Sequence, residues 1–175
     1  MARKRVEGAS GFHHHYPRTA AVVVCRARGR DNAMAVAWHS SLSFDPPLVG
    51  VSISPKRYTY EMILEAGEFT LNFLPLEKAE YIAAVGGCPG REVDKFARFG
   101  LTAERPLKVA SPVLGEAYAA YECRLVAHHT YGDHEWFVGE VLATHYEEEA
   151  FTPAGVLDLA RVHPALFIGG ELYYT

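Results

Sequence analysis

The hydrophobic pattern of the first fifty residues predicts antiparallel strands. In residues 19–29 a continuous β-branched run ends at the turn residues of GRDN, and AMAVAW (33–38) is predicted to be its hairpin partner. Two prolines in FDPP are expected to prevent regular pairing. Residues 48–54 then form a third strand, one face of which is small and polar. That face carries Leu48, Gly50, Ser52 and Ser54.

The hydrophobic period changes after Arg57. Tyr60, Ile63, Leu64 and Gly67 fall at helical spacing, which predicts a short amphipathic helix that ends at the glycine. Residues 68–75 return to a strand pattern. Two further short helices are expected between Leu76 and about Gly100, separated by GGCPG.

The second half of the chain is again β-like. Residues 117–129 alternate, the YGDH turn follows, and residues 135–149 run back, which together predict a long antiparallel hairpin. One face of the first strand is expected to be core, and Tyr118, Glu122 and Arg124 are placed on the other. Residues 163–175 predict a small hairpin around Gly169 and Gly170.

Many strands without β-α-β alternation predict a mainly β fold, an antiparallel Greek-key barrel with a few short helices. The chain has 175 residues, of which 49% are hydrophobic, and no internal repeat or linker interrupts it. We therefore expect a single domain over residues 1–175.

Composition excludes several partners. The formal charge of −4 comes from scattered acidic and basic residues, so no basic stripe for nucleic acid is expected. No apolar run has the length of a signal peptide or a membrane span, which predicts a cytoplasmic protein. Cys25, Cys88 and Cys123 are far apart in sequence and are expected to be reduced and structural. The triplet at residues 13–15 is interpreted as surface histidines, and no metal site is predicted.

The segment SPKRYT (54–59) is the strongest local signal. Ser54 is predicted to be the N-cap of a helix whose first position is Pro55, with cationic and hydroxyl donors beside its free N–H groups. This pattern is typical of a phosphate site, and a capped surface helix is the alternative.

The segment NAMAVAWHSS (32–41) is the second signal. Its alanines would let a flat ring approach the backbone, Trp38 would form a wall, and the serines offer donors and acceptors. Tight strand packing followed by turn serines is the alternative. His134 lies in the turn of the long hairpin, where loops commonly carry functional groups, although a plain surface turn would look the same.

The ordered motifs YPRTAAVVVC, NxMAVAW, SxSFDPPLVGVSIS, RYT, FTLNF, KF and GDHxxFVGEV resemble the flavin reductase-like family of FMN-binding split barrels over nearly the whole chain. Within it, the sequence is most similar to the small reductase components of two-component flavin monooxygenases, including the styrene monooxygenase type. The resemblance implies a homodimer that binds FMN, transfers hydride from NAD(P)H and supplies reduced flavin to a monooxygenase.

The resemblance also implies residue roles. Strand 32–38 would border the isoalloxazine ring, the serines would serve the ribityl chain and phosphate, and His134 would position the nicotinamide or the flavin ring. Phe96 and Tyr173 are weaker wall candidates. The residues implied in cofactor binding are Asn32, Met34, Ala35, Val36, Ala37, Trp38, His39, Ser40, Ser41, Ser52, Ser54, Arg57, Tyr58 and Thr59.

Other functions stay open at this point. A flavin-binding electron carrier would use the same barrel without efficient NAD(P)H turnover. A pyridoxamine-phosphate-oxidase-like activity shares the split-barrel architecture, and a barrel of purely structural role is the last alternative.

Overall fold

Antiparallel hairpins build the first part of the computed structural model, which describes residues 3–9, 11–170 and, for the backbone alone, 172–174. Strand β1 (Arg18–Thr19) precedes the predicted hairpin of β2 (Ala21–Ala27) and β3 (Arg30–Val36). Ala21 pairs with Val36 and Ala27 with Arg30, which confirms the predicted hairpin.

Strand β2 is covered on both faces. Val23 and Cys25 belong to the core inside the sheet, whereas Val22 and Val24 pack with Ile82 in a second apolar cluster outside it. A strand buried on both faces has no polar side, so its hydrophobic run is continuous.

The expectation that FDPP prevents pairing is wrong. Residues on both sides of it form β4 (His39–Phe44) and β5 (Pro47–Ile53), a tight hairpin in which Phe44 pairs with Pro47. Pro47 is the first residue of its strand, where the missing N–H is tolerated. The prolines therefore shape the turn of this hairpin.

The first helix begins later than predicted. Helix α1 (Tyr58–Ala66) has Arg57 as N-cap, and Ser54 instead opens a turn in which the Arg57 N–H donates to the Ser54 carbonyl over 2.9 Å. The predicted end is confirmed, because Gly67 adopts a φ of 67° and donates to Ile63. Met62 is buried and Leu64 is 39% exposed, so the buried face differs from the predicted one.

The middle of the chain follows the predicted order of elements. Strand β6 (Glu68–Phe73) leads to α2 (Ala79–Gly86) and α3 (Lys95–Phe99), and GGCPG separates the two helices. Asp94 caps α3 by accepting the Ala97 N–H at 3.0 Å. Three-residue 3₁₀ helices occupy residues 13–15, 76–78 and 148–150.

The second half contains the long predicted hairpin. After the short strands β7 (Ala103–Glu104) and β8 (Val113–Leu114), β9 (Ala119–Tyr131) pairs with β10 (His134–Tyr146). The chain ends in β11 (Leu166–Gly169) and β12 (Leu172–Tyr174), which confirms the predicted terminal hairpin.

Seven strands form the main sheet in the order β3-β2-β6-β9-β10-β5-β4. The neighbours β6–β9 and β10–β5 are far apart in sequence, as Greek-key connections require, and every pair is antiparallel. The predicted mainly β, antiparallel fold with a few short helices is confirmed.

Two carboxylates, one of them fully buried, hold the irregular segment 107–111, which we call the clamped loop. Glu122 has no exposed surface and accepts N–H groups from Leu107, Lys108 and Val109 at 2.6–3.1 Å, together with His145 Nε2 at 2.5 Å. Glu68 accepts the N–H groups of residues 110 and 111. The expectation of one core face on β9 is thus wrong at Glu122, because the loop covers the other face.

Candidate functional site: a cavity with a cationic and an aromatic end

A cavity of about 650 Å³ lies between β3, the end of β5, the start of α1 and the loop from α2 to α3. Its size falls within the usual range for small-molecule sites. It brings together twelve of the fifteen residues singled out from the sequence. These are Asn32, Met34, Ala35, Val36, Ala37, Trp38, Ser52, Ser54, Arg57, Tyr58, Thr59 and His134.

His39, Ser40 and Ser41 are not among the lining residues. The chain turns after Trp38 and starts β4 at His39, whose Nε2 lies 2.9 Å from the Thr19 carbonyl oxygen. Ser40 and Ser41 are exposed on β4. The hydroxyls nearest in sequence to the indole therefore lie outside the cavity.

One end of the cavity is cationic. Arg57, Arg91 and Lys95 line it, and Lys56 and Glu92 are further charged residues of the cavity lining. Arg91 stacks 5.0 Å from the Tyr58 ring centre and pairs with Glu61. Because α1 begins at this end, its free N–H groups add to the positive potential, and the end suits an anionic group.

Asn32 joins β3 to α1. It is 2% exposed, and its Nδ2 donates to the Thr59 hydroxyl at 2.8 Å. Its Oδ1 has no partner within the described chain. A Cβ added at Gly90 would lie 2.3 Å from that oxygen, so the loop approaches Asn32 as closely as a glycine allows.

Lys95 is a lining residue that the sequence analysis missed. It is 3% exposed, and its Nζ donates to the carbonyl oxygens of Ala33 at 2.8 Å and Val85 at 2.6 Å. Burial lowers its pKa to about 8, a value that includes smaller opposing effects of Cys88, which raises it, and of the positive charge of Arg57, which lowers it. Phe96, the neighbouring residue of the KF motif, was a candidate wall of the cofactor site. It packs in the outer apolar cluster and does not line the cavity.

The other end, which we call the aromatic end, is formed by Tyr16, Trp38, His134 and Phe167. Trp38 Nε1 donates to the Tyr16 hydroxyl at 2.8 Å, and the Trp38 and His134 rings lie 4.9 Å apart. His134 Nδ1 lies 2.8 Å from Asp133 Oδ1, and this hydrogen bond lowers the pKa of Asp133. Flat rings on two sides favour a planar ligand.

The remaining predicted residues are placed as follows. Cys25 and Cys123 are free and buried, and burial raises the pKa of each thiol to about 12. Cys88 is also free, but it lines the cavity, so the expectation of a purely structural role does not cover it. His13 of the surface triplet also lines the cavity. The side chain of Tyr173 lies outside the described residues.

Two further features concern the described residues alone. No three of their histidine, cysteine and acidic side chains are grouped as metal ligands would be. No helix there has both the length and the apolar character needed to cross a membrane.

In a mainly β barrel, a cavity that joins a cationic end to an aromatic end suits a planar, anionic ligand. Residues 13–174 match the sequence profile of the flavin reductase like domain. The chain belongs to this family.

Proteins of other organisms are similar to this chain over most of its length. An uncharacterised protein of Pyrococcus abyssi is 39% identical over 81% of this chain and 81% of its own length. The NADH-dependent FMN reductase of Streptomyces nodosus subsp. asukaensis is 31% identical over 78% of this chain and 73% of its own. The reductase component of the FADH₂-dependent resorcinol hydroxylase of Rhizobium sp. is 29% identical over 76% and 73%.

Solved structures agree with the fold. The FMN-binding protein of Thermus thermophilus, crystallised with 1-cyclohex-2-enone, superposes with a TM-score of 0.88 at 38% identity, covering 99% of this chain and 95% of that one. Flavoredoxin of Desulfovibrio vulgaris gives a TM-score of 0.87 at 30% identity, with coverages of 98% and 92%. The predicted split-barrel fold of the flavin reductases is thereby confirmed.

Proposed function

We propose that this protein is an NAD(P)H-dependent FMN reductase. The observation that carries the proposal is one cavity in which a cationic end and an aromatic end are joined along β3. FMN has a dianionic phosphate at one end and a flat ring system at the other, so its two parts match the two ends of the cavity. When bound, FMN supplies the chemistry by accepting a hydride from the nicotinamide.

The phosphate is assigned to the cationic end. Lys56 and Arg57 precede α1, and their charges add to the N–H groups of its first turn. Thr59, buried in that turn, is fixed by its hydrogen bond from Asn32. Thr59 is therefore fixed before an anion binds, which keeps its share of the binding cost low.

The ring system is assigned to the edge of β3 between Met34 and Ala37. Small side chains there leave the backbone within reach of a flat ligand, and the indole of Trp38 closes the far side. Lys95, held against the same strand by its bond to the Ala33 carbonyl, adds a buried positive charge to the cationic end and so favours an anionic cofactor. His134 is assigned to positioning the nicotinamide.

The experiment is steady-state oxidation of NADH and of NADPH by the purified protein with added FMN. Turnover without any other protein supports the reductase. A stoichiometric FMN complex that oxidises neither nucleotide contradicts it.

An electron carrier is the second candidate, favoured by the likeness to flavoredoxins at 30% identity. A carrier requires a separate reductase, whereas the proposed enzyme turns over alone. Reduction of the FMN complex only after addition of an external ferredoxin or flavodoxin reductase would establish the carrier.

We also propose a consumer of the reduced flavin, a cellular location and an oligomeric state. Reductase components among the relatives support a monooxygenase as the consumer of reduced flavin. We further propose a cytoplasmic homodimer. Light scattering of the FMN complex measures the oligomeric state, and a monomer at all concentrations contradicts that part of the proposal.

A further inference from the structure

The hydroxyl of Tyr16 has hydrogen-bonding capacity that the described contacts do not use. Its oxygen accepts the indole N–H of Trp38 at 2.8 Å. The hydroxyl can still donate its own proton. Within the described residues, no group accepts that proton, and Tyr16 lines the cavity.

Neighbouring rings fix the Tyr16 side chain. Its ring centre lies 5.2 Å from His13, 5.0 Å from His15 and 5.7 Å from Phe167. With the indole bond added, the hydroxyl is held at one position on the edge of the aromatic end. A donor that is fixed before binding loses little conformational entropy when a ligand arrives.

His134 provides the complementary acceptor. Its Nδ1 bonds to the Asp133 carboxylate, which accepts only, so Nδ1 carries the ring proton. In the neutral imidazole, Nε2 is then an acceptor. Tyr16 and His134 both contact Trp38, one by a hydrogen bond and the other by ring contact, so a donor and an acceptor flank the same indole.

We propose that Tyr16 is a specificity residue that donates to the carboxamide oxygen of the nicotinamide, while His134 Nε2 accepts from the carboxamide nitrogen. A primary amide presents one acceptor and one donor side by side, which is the complement of this pair. The inference deepens the proposed reductase function and rests on it. No local sequence pattern indicates this role for Tyr16.

The test uses a cofactor analogue in which sulfur replaces the carboxamide oxygen. Thio-NAD⁺ has a much weaker acceptor than NAD⁺ but the same overall shape, and neither oxidised nucleotide is turned over. Their dissociation constants for the FMN-loaded protein are measured by tryptophan fluorescence, in the wild type and in Tyr16→Phe. The NADP⁺ pair is titrated in parallel.

We expect Tyr16→Phe to weaken NAD⁺ about tenfold, the value of one good hydrogen bond, and to change thio-NAD⁺ by less than about twofold. The ratio of kcat/KM for NADH and thio-NADH should shift by the same factor. Comparing ratios cancels the intrinsic difference between the two nucleotides.

Two controls separate this role from a structural one. Tyr146→Phe removes a hydroxyl that is exposed and outside the cavity, and it should leave both nucleotides unaffected. The FMN dissociation constant of Tyr16→Phe shows that the cavity is intact. Equal weakening of both nucleotides would overturn the inference and leave the reductase intact, whereas a wild type that oxidises neither NADH nor NADPH would contradict both proposals.

Discussion

Lys95 Nζ lies 2.8 Å from the carbonyl oxygen of Ala33, so a buried cation sits against the strand that lines the cavity. Burial lowers the pKa of Lys95 to about 8 from its usual 10.5. The group therefore changes charge within an accessible range. This position predicts a pH-dependent affinity for FMN.

We expect the dissociation constant of FMN to rise about fivefold from pH 7 to 9, the effect of a one-unit difference in the Lys95 pKa between free and FMN-bound protein. The phosphate is already dianionic over this range. Lys95→Gln should weaken FMN at pH 7 and flatten the profile. Lys108→Gln, an exposed lysine outside the cavity, should keep the wild-type slope. Identical slopes in wild type and Lys95→Gln would contradict the assignment.

The same pKa has a consequence for stability. The folded pKa of Lys95 lies below the unfolded one, so between about pH 8 and 10.5 the unfolded chain binds more protons. The contribution of this group to the free energy of unfolding should increase as pH rises through that window. Urea titrations of wild type and Lys95→Gln at pH 7.5 and 10 measure the difference.

Arg57 gives a prediction about the phosphate. Arg57→Ala should raise the dissociation constant of FMN by about 10- to 100-fold, because a charge-assisted hydrogen bond contributes about 1.5–3 kcal/mol. Riboflavin has no phosphate, and its binding should change less than twofold. Arg105→Ala is the matched control, exposed and away from the cavity. Equal losses for FMN and riboflavin would place the phosphate elsewhere.

Gly90 gives a prediction about the loop beside Asn32. In Gly90→Ala the new methyl would lie 2.3 Å from Asn32 Oδ1 and must displace that side chain, breaking its bond to Thr59. We expect FMN affinity to fall about tenfold, or about 1.4 kcal/mol. Gly87→Ala is the matched control, since its Cβ would lie at an ordinary 3.5 Å from the Ala83 oxygen. Fluorescence titration with FMN measures both affinities. Equal affinities of the wild type and Gly90→Ala would show that the close approach of Gly90 to Asn32 does not matter for binding.

Glu122 gives a prediction about stability. Burial by itself raises the pKa of Glu122. Hydrogen bonds that the carboxylate accepts outweigh this effect and hold the pKa below its usual value. The donors are the Leu107 N–H, the His145 ring and the N–H groups of Lys108 and Val109. Glu122→Gln should lower the free energy of unfolding at pH 7 by about 2–3 kcal/mol, because a buried charged acceptor of several hydrogen bonds is lost. Urea unfolding measures this, with the exposed Glu149→Gln as control.

The sign of the acid dependence follows from the same pKa. The stabilisation by Glu122 is fully present above the unfolded pKa of about 4.3 and is lost as pH falls through the lower folded value. Glu122→Gln should therefore approach the wild type in stability under strongly acidic conditions. A constant difference down to pH 2 would show that the carboxylate charge is not the cause.

Sequence patterns predicted the fold where burial alone decides it. The continuous apolar run of residues 21–25 and the alternation of residues 117–129 reported strands correctly, because these patterns reflect which faces are covered. Strand β4 was missed because Ser40, Ser41 and Ser43 resemble turn residues. Its pairing with β5 is an edge pairing that requires little burial.

The candidate site was predictable only where residues are adjacent in sequence. The local composition of segments 32–38 and 52–59 was enough to mark each of them as part of a candidate binding site. Lys95 did not, because its burial arises from contacts with Ala33 and Val85, which are distant along the chain. His39 shows the converse, since adjacency to Trp38 was taken for proximity to the cavity.

The clamped loop has neither helix nor strand, yet its backbone N–H groups donate to two carboxylates, those of the fully buried Glu122 and the partly buried Glu68. Its amide protons should therefore exchange with deuterium on the slow timescale of the central strands. An insertion at residues 107–111 would be tolerated poorly, although irregular surface segments ordinarily accept extra residues. In this barrel, the position of two acids decides which irregular segment is rigid.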